Sequence, residues 1–253
     1  MEFESKSRRL RERIKLALPV RVHGRESKEH EWMEMSRLID VTPFGASFAL
    51  SHPTEPGRLL HLTLPLPRQL RCFDHIEDQY RVWALVRRLA APPQQLWQRG
   101  GEPPRTVVGV AFTGKHAPAS YANDPSTRYE VDVLSKESNL WSLRQLDEAA
   151  EGGRVERSVE TRLQLPVNVT VEVLDDEGRV ALREQTVTEN ISRRGAAVWT
   201  TLTVERGRFV RLTSVEHGLS VTAAVRATRT GPDGIPRLHL EFVDRQWPLE
   251  GIE

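Results

Sequence analysis

The chain repeats itself, and no other feature constrains its fold as strongly. Leu18-Pro19-Val20-Arg21-Val22 returns as Leu165-Pro166-Val167-Asn168-Val169, and Gly57-Arg58-Leu59-Leu60-His61-Leu62-Thr63 returns as Gly207-Arg208-Phe209-Val210-Arg211-Leu212-Thr213. Between these landmarks Asp40-Val41-Thr42-Pro43-Phe44-Gly45-Ala46 is matched by Asn190-Ile191-Ser192-Arg193-Arg194-Gly195-Ala196. After them Val82 to Arg87 parallels Val221 to Arg226, and Val107 to Phe112 parallels Arg237 to Phe242. The order is kept throughout, so a tandem duplication is the simplest account, and self-similarity of this kind reveals architecture before any motif does.

Within each copy the apolar residues alternate, as in Val169, Val171 and Val173 or Leu60, Leu62 and Leu64, the period-two signature of half-buried strands. Polar, glycine-containing stretches such as Asp175-Asp176-Glu177-Gly178 and Gly231-Pro232-Asp233-Gly234 have hairpin chemistry. Evenly spaced antiparallel strands that must hide their edges predict an all-β chain of two six-stranded antiparallel β-barrels in tandem. The expected boundaries are residues 1–120 for the first barrel, 121–151 for a linker and 152–253 for the second barrel. In the linker, Val131, Leu134, Leu140, Leu143 and Leu146 stand at approximately helical spacing, which predicts a helix within 130–151. The first copy is longer around Arg68 to Asp78 and from Ala91 to Arg105, as surface loops allow. Trp83 and Trp199 lie in strand-like runs and are expected in the barrel cores, whereas Trp32, Trp97, Trp141 and Trp247 lie nearer segment ends or loops.

Composition narrows the function. Lys and Arg total 36 against 35 Asp and Glu, so no global field draws the chain to nucleic acid or anionic lipid, and nucleic-acid binding ranks last among the readings. The single cysteine, Cys72, can form neither an internal disulfide nor a multi-thiolate metal site, which fits a reducing compartment. Met1 to Arg13 is charged, and no stretch reaches the roughly 20 apolar residues of a membrane span. The expectation is a cytoplasmic protein. Cys72, Asp74, His75, Glu77 and Asp78 lack a metal-ligand spacing and read as a solvated loop. The sequence holds no Gly-x-Ser-x-Gly elbow, Walker loop or dinucleotide-binding glycine fingerprint, so catalysis is not expected, and neither is a metal or a resident cofactor.

The arrangement resembles the PilZ family, whose members place an RxxxR segment before a Leu-Pro-Val strand and a (D/N)xSxxG turn after the next strand. In the first copy Arg9 and Arg13 form the RxxxR pair, with Arg8 adjacent, and Asp40, Thr42 and Gly45 fill the turn, Thr replacing Ser. The second copy has the full turn, Asn190, Ser192 and Gly195. Counting back from Pro166 by the interval between Arg13 and Pro19 lands on Glu160, and Arg157 and Arg162 are available on a shifted segment.

The resemblance implies a bacterial receptor for cyclic di-GMP that changes conformation or partner on binding. Arginine forks suit phosphates and the O6 and N7 acceptors of guanine, and their flat faces stack on the base. A downstream protein partner is implied without being identified. The second barrel is then degenerate, structural or a contributor to a shared site. A different class of function, a tandem barrel that docks proteins without nucleotide, is supported by Thr42 and by the missing pair at strict spacing before Pro166.

Overall fold

A computed structural model describes residues 13–91, 105–133, 141–146, 163–175, 177–231 and 233–249. The first barrel is built from β1 (Pro19–Arg25), β2 (Glu31–Thr42), β3 (Gly45–Leu50), β4 (Leu59–Leu64), β5 (Tyr80–Ala90) and β6 (Thr106–Gly114). The second comprises β9 (Asn168–Leu174), β10 (Val180–Ile191), β11 (Gly195–Trp199), β12 (Phe209–Ser214), β13 (Leu219–Thr230) and β14 (Pro236–Phe242). Both close in the same order, β1-β2-β3-β6-β5-β4 and β9-β10-β11-β14-β13-β12, with antiparallel neighbours throughout. The two barrels expected from the repeat are therefore present, and closure removes the unpaired edges that a six-stranded open sheet would expose.

Alternation decides which residues fill each barrel. Val20 and Val22, Leu60, Leu62 and Leu64, and Val108, Val110 and Phe112 point inward around the first core. Val169, Val171 and Val173 and their partners do the same in the second. That parity places Trp83, between inward Val82 and Ala84, and Trp199, after inward Val198, on the outside, contrary to the expectation that both are core residues. Trp83 instead packs edge-on against Tyr121, and the Arg237 guanidinium lies over Trp199 at 5.9 Å. Among the described residues, the tryptophans in the cores are Trp32 and Trp247. Trp247, 1 % exposed, plugs the second barrel beside Phe242, and its backbone N–H donates to Arg193 O at 2.9 Å. Trp32 needs space from Gly24 opposite it, where a Cβ would fall 2.5 Å from the indole.

The helix predicted within 130–151 is corrected to strands. β7 (Tyr129–Val133) and β8 (Trp141–Gln145) form an antiparallel hairpin in which Val131 stands opposite Leu143. The apolar spacing was satisfied across strands, because both residues cover the outward-facing Leu59 and Leu85 of the first barrel together with Tyr121 and Tyr129. Leu134 and Leu140 lie outside the described residues. A short helix, α1 (Ala119–Asn123), precedes the hairpin and contributes Tyr121 to this layer.

The long loop between β4 and β5 is also more ordered than a solvated loop. The buried Arg71 guanidinium donates to the carbonyls of Leu66 at 2.8 Å, Asp74 at 3.3 Å, Glu77 at 2.5 Å and Asp78 at 2.9 Å, and it stacks over Tyr80. One fixed fork thus gathers carbonyls that a loop otherwise leaves to water.

Charged groups join the barrels. Arg226 of β13 reaches across to Glu55, with Nη1 at 2.9 Å from Oε1 and Nη2 on the second oxygen. Glu55 also accepts from Arg58 Nε at 3.0 Å, and Arg58 donates to Gly207 O at 2.7 Å while lying over the Phe209 ring. Glu26, 1 % exposed, holds His52 at 2.6 Å, Arg208 at 3.1 Å and the Phe209 N–H at 3.2 Å. Gly207 takes φ +89°, and a Cβ there would overlap Glu26 O and Ser126 Cβ, so both conformation and close approach demand glycine. The repeated Gly-Arg pair is thus an interface element as well as a strand start.

Candidate functional site

The turn joining β2 to β3 is shaped by a bulge and a glycine. The β2–β3 register shifts between Leu38 and Asp40, and the β10–β11 register shifts at the same place, between Thr188 and Asn190. A bulge bends its strand and re-aims the next side chain, here Asp40 or Asn190. Gly45 and Gly195 follow, each at a point where a Cβ would overlap the carbonyl of the adjacent strand, Val110 O and Leu240 O respectively. The glycine of the motif is therefore required by strand packing as such.

The hydroxyls are spent inside the turns. Thr42 Oγ1 accepts the Phe44 N–H at 3.3 Å and lies 3.3 Å from Gly45 O. Ser192 Oγ accepts from Arg194 N at 3.3 Å and Gly195 N at 3.2 Å. Thr therefore performs the local task of Ser in the first barrel, one N–H fewer, and the departure leaves the turn intact. The Cys72 thiol contacts Pro43 O, so the Arg71-organised loop packs directly on this turn.

The arm preceding β1 returns to the turn. Ile14 and Val41 exchange backbone hydrogen bonds of 3.0 and 2.9 Å, which sets the neighbouring Arg13 beside Asp40, Nη1 to Oδ2 at 3.1 Å. These side chains remain about one-third and one-fifth exposed, at 34 % and 21 %. In the second barrel Leu163 and Ile191 make the same bridge, with both hydrogen bonds at 2.9 Å. The bridge corrects the alignment made by counting from the proline. Ile14 corresponds to Leu163, so the residue equivalent to Arg13 is Arg162, and Arg157 stands to Arg162 as Arg8 stands to Arg13. Ile14 and Leu163 stand equally far from the equivalent strand residues Val20 and Val169, which face Ser36 and Thr186, so it is Leu165-Pro166-Val167 that lies two residues ahead of its sequence counterpart, and counting from the proline could not reveal this. Arg8, Arg9, Arg157 and Arg162 themselves lie outside the described residues.

Register extends the site across the barrel. Asp40 stands opposite Ser47, Ser47 opposite Gly109 and Gly109 opposite Arg88, so one row crosses β2, β3, β6 and β5. Ser47, only 3 % exposed, and Gly109 alternate with core residues, and a Cβ on Gly109 would lie 2.8 Å from Arg88 Cγ and Nε. Arg88 thus lies over the bare backbone of Gly109, a placement that no local motif signalled. The row combines a carboxylate, a hydroxyl, a bare backbone and two guanidinium groups, the donors and acceptors that suit a planar, polar, anionic ligand. The equivalent row in the second barrel runs Asn190, Ala197, His239 and Ala227. It keeps the amide and lacks the second arginine.

The PilZ domain model matches residues 156–246, the second barrel with the arm before it. Residues 156–246 are a PilZ domain. The first barrel lies outside that span and reproduces the PilZ domain in strand order, bulge, turn glycine and arm bridge. Among solved structures, the chain is similar to the Bacillus subtilis inhibitor of motility MotI/DgrA, with 12% identity over 92% of this chain and 90% of that one and a TM-score of 0.29. It is similar also to Borreliella burgdorferi PlzA in complex with c-di-GMP, with 10% identity over 94% and 90% of the two chains and a TM-score of 0.28. Escherichia coli YcgR in complex with c-di-GMP shares 11% identity over 90% and 76%, with a TM-score of 0.27. Among curated proteins no sequence matches. Among the described residues no helix is long and apolar enough to cross a membrane, and no three His, Cys, Asp or Glu side chains are grouped to hold a metal ion.

Proposed function

We propose that the chain is a receptor for cyclic di-GMP, a binding protein without catalysis, and that the first barrel seats the nucleotide on the row from Asp40 to Arg88 beneath the arm carrying Arg8, Arg9 and Arg13. The observation that carries this reading is the Arg13–Asp40 contact at the head of that row. A partly exposed ion pair is worth only ~0–1 kcal/mol, so a ligand phosphate can draw Arg13 away while the guanine edge takes Asp40. The PilZ domain of the second barrel supports the same chemistry there, with Asn190, Ser192 and Gly195 at the turn and Arg157 and Arg162 on the arm.

Binding would shift the arm from its contact with Asp40 to one with the ligand, and any output must be a surface that differs between these states. The test is calorimetric titration of cyclic di-GMP into the wild type, with Arg13→Ala, Arg88→Ala and Arg162→Ala in parallel and linear GMP as the control. Saturable heat that Arg13→Ala and Arg88→Ala remove from one class of site, and Arg162→Ala from another, is the expected result. Absence of heat and of thermal stabilisation by the nucleotide overturns the receptor reading and leaves a tandem barrel that docks proteins without nucleotide.

A further inference from the structure

The opposite face of the first barrel carries a second concentration of cationic groups. On β1 and β4, Arg21 stands opposite Thr63 and His23 opposite His61, and on β5 Arg81 stands opposite Thr63. With Met33 of β2 these side chains line a shallow concavity of about 350 Å³. No carboxylate lines it. Arg21 and Arg81 form no ion pair with the described residues, and the acid at the rim, Glu31, is shared between Arg25 at 3.0 Å and His23 at 3.5 Å. Burial, and then the charges of His23, Arg81 and Arg21, hold the His61 imidazole below its ordinary range. Met33 and Met35 beside the cluster are exposed, at 62 % and 60 %.

The second barrel shows how the same positions look when neutralised internally. Register sets Thr170 where Arg21 stands, Glu172 for His23, Arg211 for His61, Ser220 for Arg81 and Arg183 for Met33. There Glu172 accepts from Arg183 Nε at 2.9 Å and lies 3.5 Å from Arg211 Nη1. The duplicate thus supplies its own anion at the position where the first barrel supplies only imidazole and guanidinium.

We propose that this face of the first barrel is a phosphate-binding site, in which Arg21, Arg81, His23 and His61 together hold a phosphate dianion of a small phosphorylated ligand and Met33 offers its apolar remainder a contact. Two guanidinium forks and two imidazoles match a doubly charged oxyanion in charge and in donor number. The site shares no residue with the Asp40–Arg88 row and does not depend on nucleotide binding there.

The test is a titration of the full chain with inorganic phosphate and with pyrophosphate, followed by the imidazole resonances of His23 and His61, against sodium chloride at matched ionic strength. Expected are saturable shifts of both imidazoles, retained in Arg13→Ala and lost in the paired variant Arg21→Gln/Arg81→Gln. His23→Glu, which imports the carboxylate of the second barrel, should abolish the response of His61. The groups facing the site are Arg21 and His23 from β1, Glu31 from β2, His61 from β4 and Arg81 from β5. Shifts that chloride reproduces, that do not saturate, or that survive the paired variant overturn the proposal. Preference for pyrophosphate over phosphate would assign the site to a diphosphate-bearing ligand, and the reverse to a monoester.

Discussion

Replacing Arg226 by Ala tests whether the charged contact between the barrels holds them together. Glu55 is 2 % exposed and would keep Arg58 Nε at 3.0 Å as a cationic partner. Removing one member of a buried pair costs about 3–5 kcal/mol. The Arg226 side chain is 16 % exposed and Arg58 remains, so the lower end applies, about 3 kcal/mol. For a chain of this size each kcal/mol moves the midpoint by roughly 2–4 °C, which gives a fall of about 6–12 °C. Because the pair spans two barrels, scanning calorimetry is expected to show one transition for the wild type and two for the variant, each barrel melting on its own. Acid provides an independent approach. Burial would raise the Glu55 carboxyl, but the Arg226 hydrogen bond and the charges of Arg58, Arg226 and Arg128 outweigh it and hold the carboxyl below its ordinary range. A carboxyl depressed by folding contributes stability above its unfolded pKa of about 4.3 and loses it as pH falls through the folded value. The cost of Arg226→Ala should therefore be full at pH 7 and shrink below about pH 4. A loss under about 1 kcal/mol at pH 7, or additive effects of Glu55→Ala and Arg226→Ala in a double-mutant cycle, would refute the reasoning.

Three further outcomes are expected. Trp247→Ala should cost the second barrel about 3–5 kcal/mol by emptying a core position, read as an early transition in urea while the first barrel persists. Gly24→Ala should lower stability by about 1–3 kcal/mol by driving a methyl into the Trp32 indole, with a change in tryptophan emission. Arg71→Ala should strip protection from amide hydrogen exchange across residues 72–78, since four carbonyls lose one donor, and leave exchange in β4 unchanged.

The sequence by itself determined the barrels, because closure and alternation are written at short range. Period-two apolar residues, hairpin turns and an ordered repeat specify which side of each strand is buried, and the structure adds only the pairing order. The same parity was available for Trp83 and Trp199, whose neighbours point inward, so residue type misled where pattern would not have. The hairpin at Val131 and Leu143 was not legible, since opposed residues across a turn mimic helical spacing when only separation along the chain is known.

The tertiary structure alone decided the layout of the sites. Ile14 and Leu163 are equivalent through backbone bridges to Val41 and Ile191, and only those bridges and the strand register align Arg162 with Arg13 against a Leu-Pro-Val match that is two residues out of step. Arg88 joins Asp40 through three strand pairings, and the Arg21–Arg81 cluster through two, so neither grouping exists until the barrel closes. Burial follows from local pattern because each strand carries its own inside and outside. Which outward side chains become neighbours depends on register between strands distant in sequence, and that is set by the closed sheet as a whole.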